Sequence, residues 1–403
     1  MTSPDHALSL RLGRVSRPRL LVLGPGHSPL ARARVAPFLG RFQVLWVTTE
    51  PLPSEWVARH PGLSWVHLPR PALRRLPRRL FVHTADYLLE VADLIRRRFR
   101  PDLVHVHYLS QLDALALYPH RKRVPLVVTL MGADVLEEQV ARPMAQDLVV
   151  RAVMRRARAV TAKSEFLAER ARALGAWPER VHRVPWGVDL TRFRPLGDDE
   201  RAQARRRLGL PAEGTLLLSS RALQPLYNHL PLLEAVAGLA RRPRLVFTRA
   251  AEEPAYAARV AARARALGLE ATFLAPQPPE EMPGLYGAAD AVASLPASDG
   301  LPQTLLEALA CARPVLALDL PAYRELPFAP EALIRVAHTR GEPDPAALAA
   351  GLAALLEPGA SGPGSQGGPG LAAAREWIAR EASFQASVER MQAIYSGALP
   401  AVS

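Results

Sequence analysis

Two carboxylates, Asp299 and Glu307, stand eight positions apart in the stretch SDGLPQTLLEALACARPVLALD (298–319). Glu307 interrupts an apolar run, where an acid costs burial energy unless it has a partner. Carboxylates placed in this way can accept hydrogen bonds from sugar hydroxyls, such as the vicinal pair of a ribose. Two plainer interpretations stay open: Asp299 caps a helix, and Glu307 lies on the helix's solvated face.

The residues between the two acids predict a binding site for an anion. Pro302 suits the first position of a helix, and Gly300 before it leaves room for a ligand close to the backbone. The amides of Leu301, Gln303 and Thr304 would then point out of the helix start. Together with the helix dipole, these amides favour a group such as a diphosphate.

The segments around this site alternate between short β-rich runs and helical patterns from about residue 19 to 320. Typical runs are RLLVLGPG (19–26), LVHVH (103–107) and TLLLSS (215–220), and a typical helical pattern is TADYLLEVADLIRRRFR (84–100). Such alternation predicts an α/β fold with parallel sheets covered by helices. One series lies before Pro195 and one after it, which indicates two doubly wound domains with a ligand at the carboxyl ends of strands.

Composition bounds the class of protein. A chain of 403 residues, 49% of them hydrophobic, is too long for one ordinary domain, so we expect at least two. Its single cysteine excludes an internal disulfide. Apolar stretches are too short to span a bilayer, and the first residues lack the apolar core of a signal peptide, which predicts a cytoplasmic protein. The net charge of +13 comes almost entirely from arginine. It indicates either a solvated basic surface or attraction to phosphates.

The stretch at 298–319 resembles the acid-x7-acid signature of the retaining nucleotide-sugar glycosyltransferases of family 4, also called group 1. Further segments resemble the same family in the right order, and the resemblance covers roughly residues 19 to 395. These segments are PDLVHVH (101–107), VVTLMGADVL (127–136), AVTAKSEFLAERARALG (159–175), VPWGVDLTRFRP (184–195), SSRALQPLYN (219–228), PEEMPGLYGAADAVAS (279–294) and EWIAREASFQASVERMQAIY (376–395).

The resemblance implies two Rossmann-like domains facing each other across a cleft, the GT-B architecture. Residues 1–18 would be an N-terminal tail and residues 19–190 the acceptor domain. Residues 191–375 would be the nucleotide-sugar donor domain, and a helix within 376–403 would cross back to the first domain.

By the same resemblance, Glu307 would bind the donor ribose, Asp299 the transferred sugar, and Arg221 the diphosphate. Arg221 has a plainer interpretation as one more surface arginine. The other residues expected to bind the donor are Gly300, Leu301, Pro302, Gln303, Thr304, Leu274, Tyr227 and Asn228. No cofactor is expected beyond the substrate, a UDP-, GDP- or ADP-sugar. Since no D-x-D motif is present, the reaction is expected to be metal-independent.

The acceptor side of the cleft is expected in the first half of the chain. The resemblance assigns it Gly24, Gly26, His27, His107 and Asp134. His105 and His107 alternate on a strand and could mimic a metal pair, but no third ligand is evident.

Some positions depart from the family pattern. Met131 stands where the family usually has a histidine that contacts the transferred sugar. The lysine expected after Arg221 is absent, with Tyr227 and Asn228 in that region, and Arg249 is a candidate for replacing its charge.

Two other functions remain open from the sequence: a non-catalytic binding or scaffold protein that kept the fold, and a glycoside hydrolase that uses the two acids. The arginines show no aromatic interleaving, so nucleic-acid binding is not expected. The acceptor would be a carbohydrate, a lipid-linked sugar or a small molecule. Arginines at 70–79 and 96–100 indicate either docking on the anionic inner face of the cell membrane or, more simply, a solvated surface.

Overall fold

The computed structural model describes residues 17–68, 77–132, 135–136, 144–357 and 368–400. Within them the chain forms two parallel sheets, one of seven strands and one of six, each covered by helices. The predicted α/β class with two Rossmann-like doubly wound domains is confirmed. Residues 1–16, most of the predicted N-terminal tail, lie outside the described range.

The first domain is built on the sheet order β3-β2-β1-β4-β5-β6-β7. All its strand pairs are parallel, so every carboxyl end lies at the same edge. The strands are β1 (Arg19–Leu23), β2 (Gln43–Thr48), β3 (Leu63–His67), β4 (Leu103–His107), β5 (Leu126–Thr129), β6 (Ala159–Ala162) and β7 (Val181–Arg183). The inner strands are buried on both faces, which explains their near-continuous apolar sequences.

Helices connect these strands and cover both faces of the sheet. They are α1 (Pro29–Val35), α2 (Ser54–Ala58), α3 (Pro77–Asp93), α4 (Gln111–Leu117), α5 (Met144–Arg156) and α6 (Glu165–Ala173). The helix predicted over 84–100 begins earlier, at Pro77, and its last turn is a wider π-turn over Leu94–Arg98.

The second domain repeats the pattern with the order β10-β9-β8-β11-β12-β13. Its strands are β8 (Leu216–Ser219), β9 (Arg244–Thr248), β10 (Ala271–Leu274), β11 (Ala291–Ser294), β12 (Val315–Leu318) and β13 (Leu333–Val336), followed by a small hairpin, β14 (His338–Thr339) and β15 (Glu342–Pro343). Its helices are α7 (Asp198–Arg207), α8 (His229–Ala237), α9 (Pro254–Ala266), α10 (Met282–Ala288), α11 (Gln303–Ala310), α12 (Pro321–Arg324) and α13 (Pro345–Leu355).

The chain crosses between the domains twice, and the two crossings are hydrogen-bonded to each other. Val188 donates its N–H to the carbonyl of Ala382 at 2.8 Å, and Phe384 donates to the carbonyl of Val188 at 2.9 Å. Helix α14 (Pro369–Glu381) still packs on the second domain, and only α15 (Phe384–Ala398) packs on the first. The return crossing therefore lies near residue 382 rather than at 376, because the helical run breaks at Ala382 and restarts with Ser383 as its N-cap.

The domains also touch directly at the mouth of the cleft. The hydroxyl of Ser164 donates to the carbonyl of Gly300 at 2.9 Å. The carboxylate of Glu325 accepts the first free amides of α6, from Glu165 at 2.8 Å and Phe166 at 3.4 Å. A carboxylate at a helix N-terminus is favourable, so Glu325 ties the second domain to a helix of the first.

No helix in the described ranges is long and apolar enough to cross a membrane. The basic stretch at 70–79 lies outside the described residues up to position 76. In the second basic stretch, Arg98 is paired with Glu90 and Asp93, so part of that charge is already neutralised.

The first crossing depends on a glycine. Gly187 has φ +77°, and a Cβ there would lie 2.6 Å from the carbonyl oxygen of Ser383 and 2.7 Å from the Cα of Phe384. Both neighbours are backbone atoms, so neither can turn aside. We expect Gly187→Ala to lower the free energy of unfolding by at least about 2 kcal/mol, measured by urea denaturation.

The matched control for that change is Gly40→Ala. Gly40 has no heavy atom within 4 Å of an added Cβ and does not have positive φ. Its substitution should leave the urea midpoint unchanged, and equal effects of the two variants would contradict the steric argument.

Candidate active site

The carboxyl ends of β8 and β11 meet where the strand order of the second sheet reverses. This position is the usual ligand crevice of a doubly wound sheet. The loop after β8 carries Arg221, and the loop after β11 carries Asp299. Residues 78 positions apart in sequence are thereby brought into contact.

Arg221 is held from three sides. Its guanidinium donates to Oδ2 of Asp299 at 2.8 Å and to Oγ1 of Thr304 at 3.1 Å, and it lies over the ring of Tyr227 at 4.5 Å from the centroid. Side-chain exposure is 13% for Arg221 and 10% for Asp299, so the ion pair is largely removed from water. Burial acts to lower the pKa of Arg221, but Asp299, Tyr227 and Tyr323 together outweigh it and the net shift of the pKa is upward. Arg221 is therefore a fixed cation and not a solvated surface arginine.

Asp299 uses both carboxylate oxygens within the protein. Oδ2 accepts from Arg221, and Oδ1 accepts the backbone N–H of Gly300 at 2.6 Å. The structure thus gives Asp299 a role in positioning Arg221, which the sequence reasoning did not foresee. A sugar contact would have to use its remaining lone pairs.

Gly300 allows a close approach, but by the protein itself. A Cβ at Gly300 would lie 2.5 Å from Cδ1 of Leu167, on α6 of the first domain. The backbone of Gly132 also approaches it from the end of β5. We expected this glycine to make room for a ligand. In the structure it makes room for the facing domain.

The start of α11 presents uncapped amides next to Arg221. Pro302 is the N-cap residue and not the first helical residue that the sequence predicted. The helix therefore begins one position later, at Gln303, and no side chain caps it. Leu301 has φ +106°, a conformation that costs a non-glycine residue about 1–3 kcal/mol. Strain of this kind persists where the surrounding structure fixes it, and here it lies directly before the free amides of Gln303 and Thr304.

Glu307 lies one turn into α11, half-buried and close to Tyr286 and Gln303. Burial raises the pKa of Glu307 to about 8, although hydrogen bonds from those two side chains act in the opposite direction. The hydroxyl of Tyr286 also lies 3.1 Å from the Oγ of Ser220, at the end of β8. Glu307 is thus largely protonated at neutral pH in the absence of a ligand.

Two other predicted donor-site residues, Asn228 and Gln303, hold the loops in place. Asn228, in the left-handed conformation, donates from its side-chain amide to the carbonyls of Leu295 at 2.9 Å and Gly341 at 2.7 Å. The side-chain amide of Gln303 donates to the carbonyl of Gly187 at 2.6 Å, which links the site to the first crossing. Leu274 ends β10, the edge strand two places from β8, so it is the predicted residue furthest from Arg221 in the sheet order.

On the facing side, the predicted glycine turn follows β1. A Cβ on Gly24 would lie 2.9 Å from the Cβ of His107, and one on Gly26 would lie 2.8 Å from the Oγ1 of Thr48. These glycines let the turn pack on its neighbouring strands. His27 is exposed, with Nδ1 3.1 Å from a carboxylate oxygen of Glu50.

His107 is buried, 3% exposed, and not on the open face of the cleft. It lines a small cavity of about 10 Å³ together with His105, Arg34 and Tyr395. Burial and the charge of Arg34 lower the pKa of His107 to about 3, so its imidazole is neutral near pH 7. His105 is bonded to Tyr395 and Thr129, which accounts for both its ring nitrogens without a metal.

Asp134 lies outside the described residues. In the part of the chain that the structure describes, no group of three or more His, Cys, Asp or Glu side chains is arranged to hold a metal ion. Arg249 forms an exposed ion pair with Glu252, so it does not supply the charge of the missing lysine.

Sequence reasoning missed Tyr286, Ser220 and the side-chain role of Thr304. Thr304 and Glu307 are three positions apart, so helical spacing already places them on one face. Nothing in the sequence indicated Tyr286 or Ser220. Tyr286 comes beside Glu307, and Ser220 beside Tyr286, only when the chain folds.

Comparison with known protein families gives two matches. A family model described as "Glycosyl transferase 4-like domain" matches residues 14–187, and one described as "Glycosyl transferases group 1" matches residues 200–359. The boundary between the two matches coincides with the first crossing, so each model takes one of the two domains.

Relatives and solved structures agree with these matches. The D-inositol 3-phosphate glycosyltransferase of Nocardia farcinica is 35% identical over 268 residues, 61% of this chain and 57% of that protein. That of Xylanimonas cellulosilytica is 30% identical over 64% of this chain and 66% of that protein. The chain therefore spans between about half and two thirds of the length of these relatives.

Two solved structures share the fold over nearly the whole chain. Anabaena HepE in complex with UDP and glucose has a TM-score of 0.73 at 17% identity and covers 94% of this chain and 99% of its own. Sucrose-phosphate synthase from Thermosynechococcus elongatus has a TM-score of 0.76 at 19% identity, with 94% and 98% covered. At these identities the likeness shows the GT-B fold.

The raised pKa of Glu307 gives a stability prediction. The carboxyl of Glu307 keeps its proton up to about pH 8 in the folded state but only up to about pH 4.5 in the unfolded chain. The contribution of this proton to the free energy of unfolding is therefore complete below pH 4.5 and is lost as the pH rises to 8. Glu307→Gln does not titrate. Its free energy of unfolding should therefore rise relative to the wild type by up to about 1.4 kcal/mol per pH unit across that window.

Urea denaturation at a series of pH values measures this difference. Glu270→Gln is the matched control, since Glu270 is 73% exposed in its side chain and pairs only with Arg244 at the surface. A Glu307→Gln difference that stays constant with pH would show that Glu307 is ionised in the free protein.

Proposed function

This chain belongs to the group 1 glycosyltransferases, and we propose that it transfers a sugar from a nucleotide diphosphate sugar to a hydroxyl acceptor, with retention of configuration. The observation that carries the proposal is the placement of Arg221 beside the uncapped start of α11. A fixed guanidinium and free helix amides around one point form a site for a diphosphate.

The chemistry follows from the leaving group. As the bond between the sugar and the diphosphate breaks, negative charge grows on the diphosphate oxygen. Donors fixed in advance stabilise that charge without having to reorganise. Asp299 and Tyr227 both hold Arg221 in place, so its guanidinium does not need to be ordered when the donor binds.

We assign the donor ribose to Glu307. An ionised carboxylate accepts hydrogen bonds from two vicinal hydroxyls better than a protonated acid does. The departing diphosphate takes the proton of the attacking hydroxyl, on the same face of the sugar, so no protein base is required. Arg221 and the helix amides supply the positive charge in this scheme, and activity should persist in EDTA.

The comparisons direct the choice of substrates. HepE was solved with UDP and glucose, which makes UDP-sugars the first donors to test beside GDP- and ADP-sugars. The named relatives act on D-inositol 3-phosphate, which makes a phosphorylated polyol the first acceptor to test beside glycan and lipid-linked acceptors. Thermal shift selects the donor, and release of the nucleoside diphosphate measures turnover.

Arg221→Gln should lower kcat by about 100- to 1,000-fold, because it removes one charge-stabilising donor from the leaving group. The exposed Arg265, on α9, provides the matched control, and Arg265→Gln should retain full activity. Circular dichroism checks that both variants fold. Equal activity of the two would remove Arg221 from the mechanism, and a chain that turns over no donor would be a binding protein.

Donor binding should release a proton, since Glu307 is protonated in the free site and accepts from the ribose as an anion. Because the pKa of Glu307 is about 8, the donor affinity should rise by up to about tenfold per pH unit below that value and level off above it. Isothermal titration in HEPES and Tris buffers measures the proton directly.

The control for this measurement is the Glu307→Gln protein. Its residual donor binding should be weaker and independent of pH. Wild-type binding that takes up or releases no proton at about pH 6.5 would contradict the ribose assignment.

A further inference from the structure

The small cavity beside His107 lies inside the first domain, where α1 and α15 cover one face of the sheet. We call it the Arg34 cavity, and every residue that lines it is buried. Its volume of about 10 Å³ is enough for roughly one particle of the size of a water molecule, so a phosphate or a sugar has no room there. The polar residues that line it are Arg34, His105, His107, Thr129, Thr161 and Tyr395.

The strand register brings four of these side chains to one face of the sheet. Thr129 of β5 is paired with His107 of β4 on one side and with Thr161 of β6 on the other. Paired residues of neighbouring strands point to the same face, and His105 points there too because it lies two residues before His107. The rings of His105 and His107 are 4.0 Å apart. The four side chains therefore form one polar patch in an otherwise apolar layer.

Polar hydrogens outnumber their acceptors in this patch. Three hydrogen bonds of 2.5, 2.7 and 2.6 Å run in a chain through Tyr395, His105, Thr129 and Thr161. Burial lowers the pKa of His105 well below its usual value, so its ring is neutral and carries one N–H. With the three hydroxyls the chain has four hydrogens for three bonds. One hydrogen is therefore left over in every arrangement, and the described residues offer it no acceptor.

His107 adds a second donor without an acceptor. Its ring is buried, and neither ring nitrogen has a hydrogen-bond partner among the described residues. In the neutral ring one of these nitrogens carries a hydrogen. A buried donor that lacks an acceptor is unfavourable, so an acceptor is expected in the cavity that His107 lines.

Arg34 brings a positive charge to the same cavity. It is 7% exposed, and burial lowers its pKa only to about 9, so it is charged at neutral pH. Its guanidinium donates to the hydroxyl of Ser387 and to the carbonyl of Pro185, and it lies over the ring of Trp186. All three partners are neutral, and within the described ranges no carboxylate pairs with Arg34. A buried cation without a counter-charge is unfavourable.

We propose that the Arg34 cavity binds one small monatomic anion, such as chloride, between the guanidinium of Arg34 and the ring N–H of His107. Chloride only accepts hydrogen bonds, so it suits a cavity in which donors are in excess. A water molecule brings hydrogens of its own and leaves the charge of Arg34 unpaired. Because Arg34 also holds Ser387 of α15, the anion would stabilise the packing of α15 on the first domain.

The test compares chloride with gluconate, an anion too large for the cavity, at one constant ionic strength. The urea midpoint of the wild type should rise as chloride replaces gluconate and should level off as the site fills, because a ligand that binds only the folded state stabilises it. Bromide should act in the same way. A midpoint that is the same in chloride and in gluconate would overturn the proposal.

Arg34→Met removes the charge and should lower the affinity for chloride by about tenfold or more. Its urea midpoint should then change little between the two salts. Arg41→Met, at an exposed position of the same domain, is the matched control and should keep the chloride dependence of the wild type. Full chloride dependence in Arg34→Met would place the ion elsewhere.

His107→Leu provides an answer if Arg34→Met does not fold. It keeps the charge of Arg34 and removes only the ring N–H, so the affinity for chloride should fall by about threefold or more. An affinity equal to that of the wild type would contradict the position proposed for the ion.

Crystals grown in bromide locate the ion directly. Anomalous scattering at the bromine absorption edge should show one bromide in contact with Arg34 and His107. A water molecule in the cavity with no anomalous signal, or bromide at the protein surface only, would refute the anion site.

Discussion

The ion pair between Arg221 and Asp299 joins the carboxyl ends of two neighbouring strands, and the geometry of the candidate site depends on it. Both side chains are nearly removed from water, so neither can give up the other without leaving a buried charge unpaired. The pair fixes the loop after β8 against the loop before α11. Thr304 and Tyr227 complete the enclosure of the guanidinium, which then faces the uncapped helix start.

Two unfavourable features are concentrated at the same place. Leu301 has a left-handed backbone conformation, and Glu307 is an acid in surroundings that favour its neutral form. Neither improves the stability of the free protein. Both fit the proposed site for a diphosphate and a ribose, since the strained residue precedes free amides and the buried acid can give up its proton to accept from hydroxyls. The stability for this comes from the large apolar core under α11, where Leu305, Leu306 and Leu309 are buried.

The two domains are not independent supports for this site. Gln303, in the first turn of α11, is bonded to Gly187 in the first crossing, and Gly300 is in contact with α6 of the facing domain. Glu325 adds a third link through the same helix. Hydrogen bonds from Gln303 to the first crossing and from Ser164 to Gly300 thus tie the start of α11 to the first domain.

The sequence predicted the strands and their parallel pairing well, because buried parallel strands such as β1 carry continuous apolar runs, here Leu20 to Leu23, that end at a glycine or polar residue. It also predicted where Arg221, Asp299 and Glu307 lie in the fold, since each follows a strand or stands in the first turns of a helix. It was less accurate where long-range packing decides. The return crossing was expected at 376 but lies near 382, Gly300 makes room for Leu167, and His107 is enclosed beneath α15.

By itself, then, the sequence determined which residue types reach the edge of each sheet, because local periodicity and turn residues fix where strands end. Only the tertiary structure decided what each of those side chains contacts. Whether Asp299 faces a sugar or holds Arg221 depends on the distance between segments 78 residues apart. Whether Glu307 carries a proton depends on how much water remains around it. Those quantities are set by the packing of whole domains, and no short stretch of the chain encodes them.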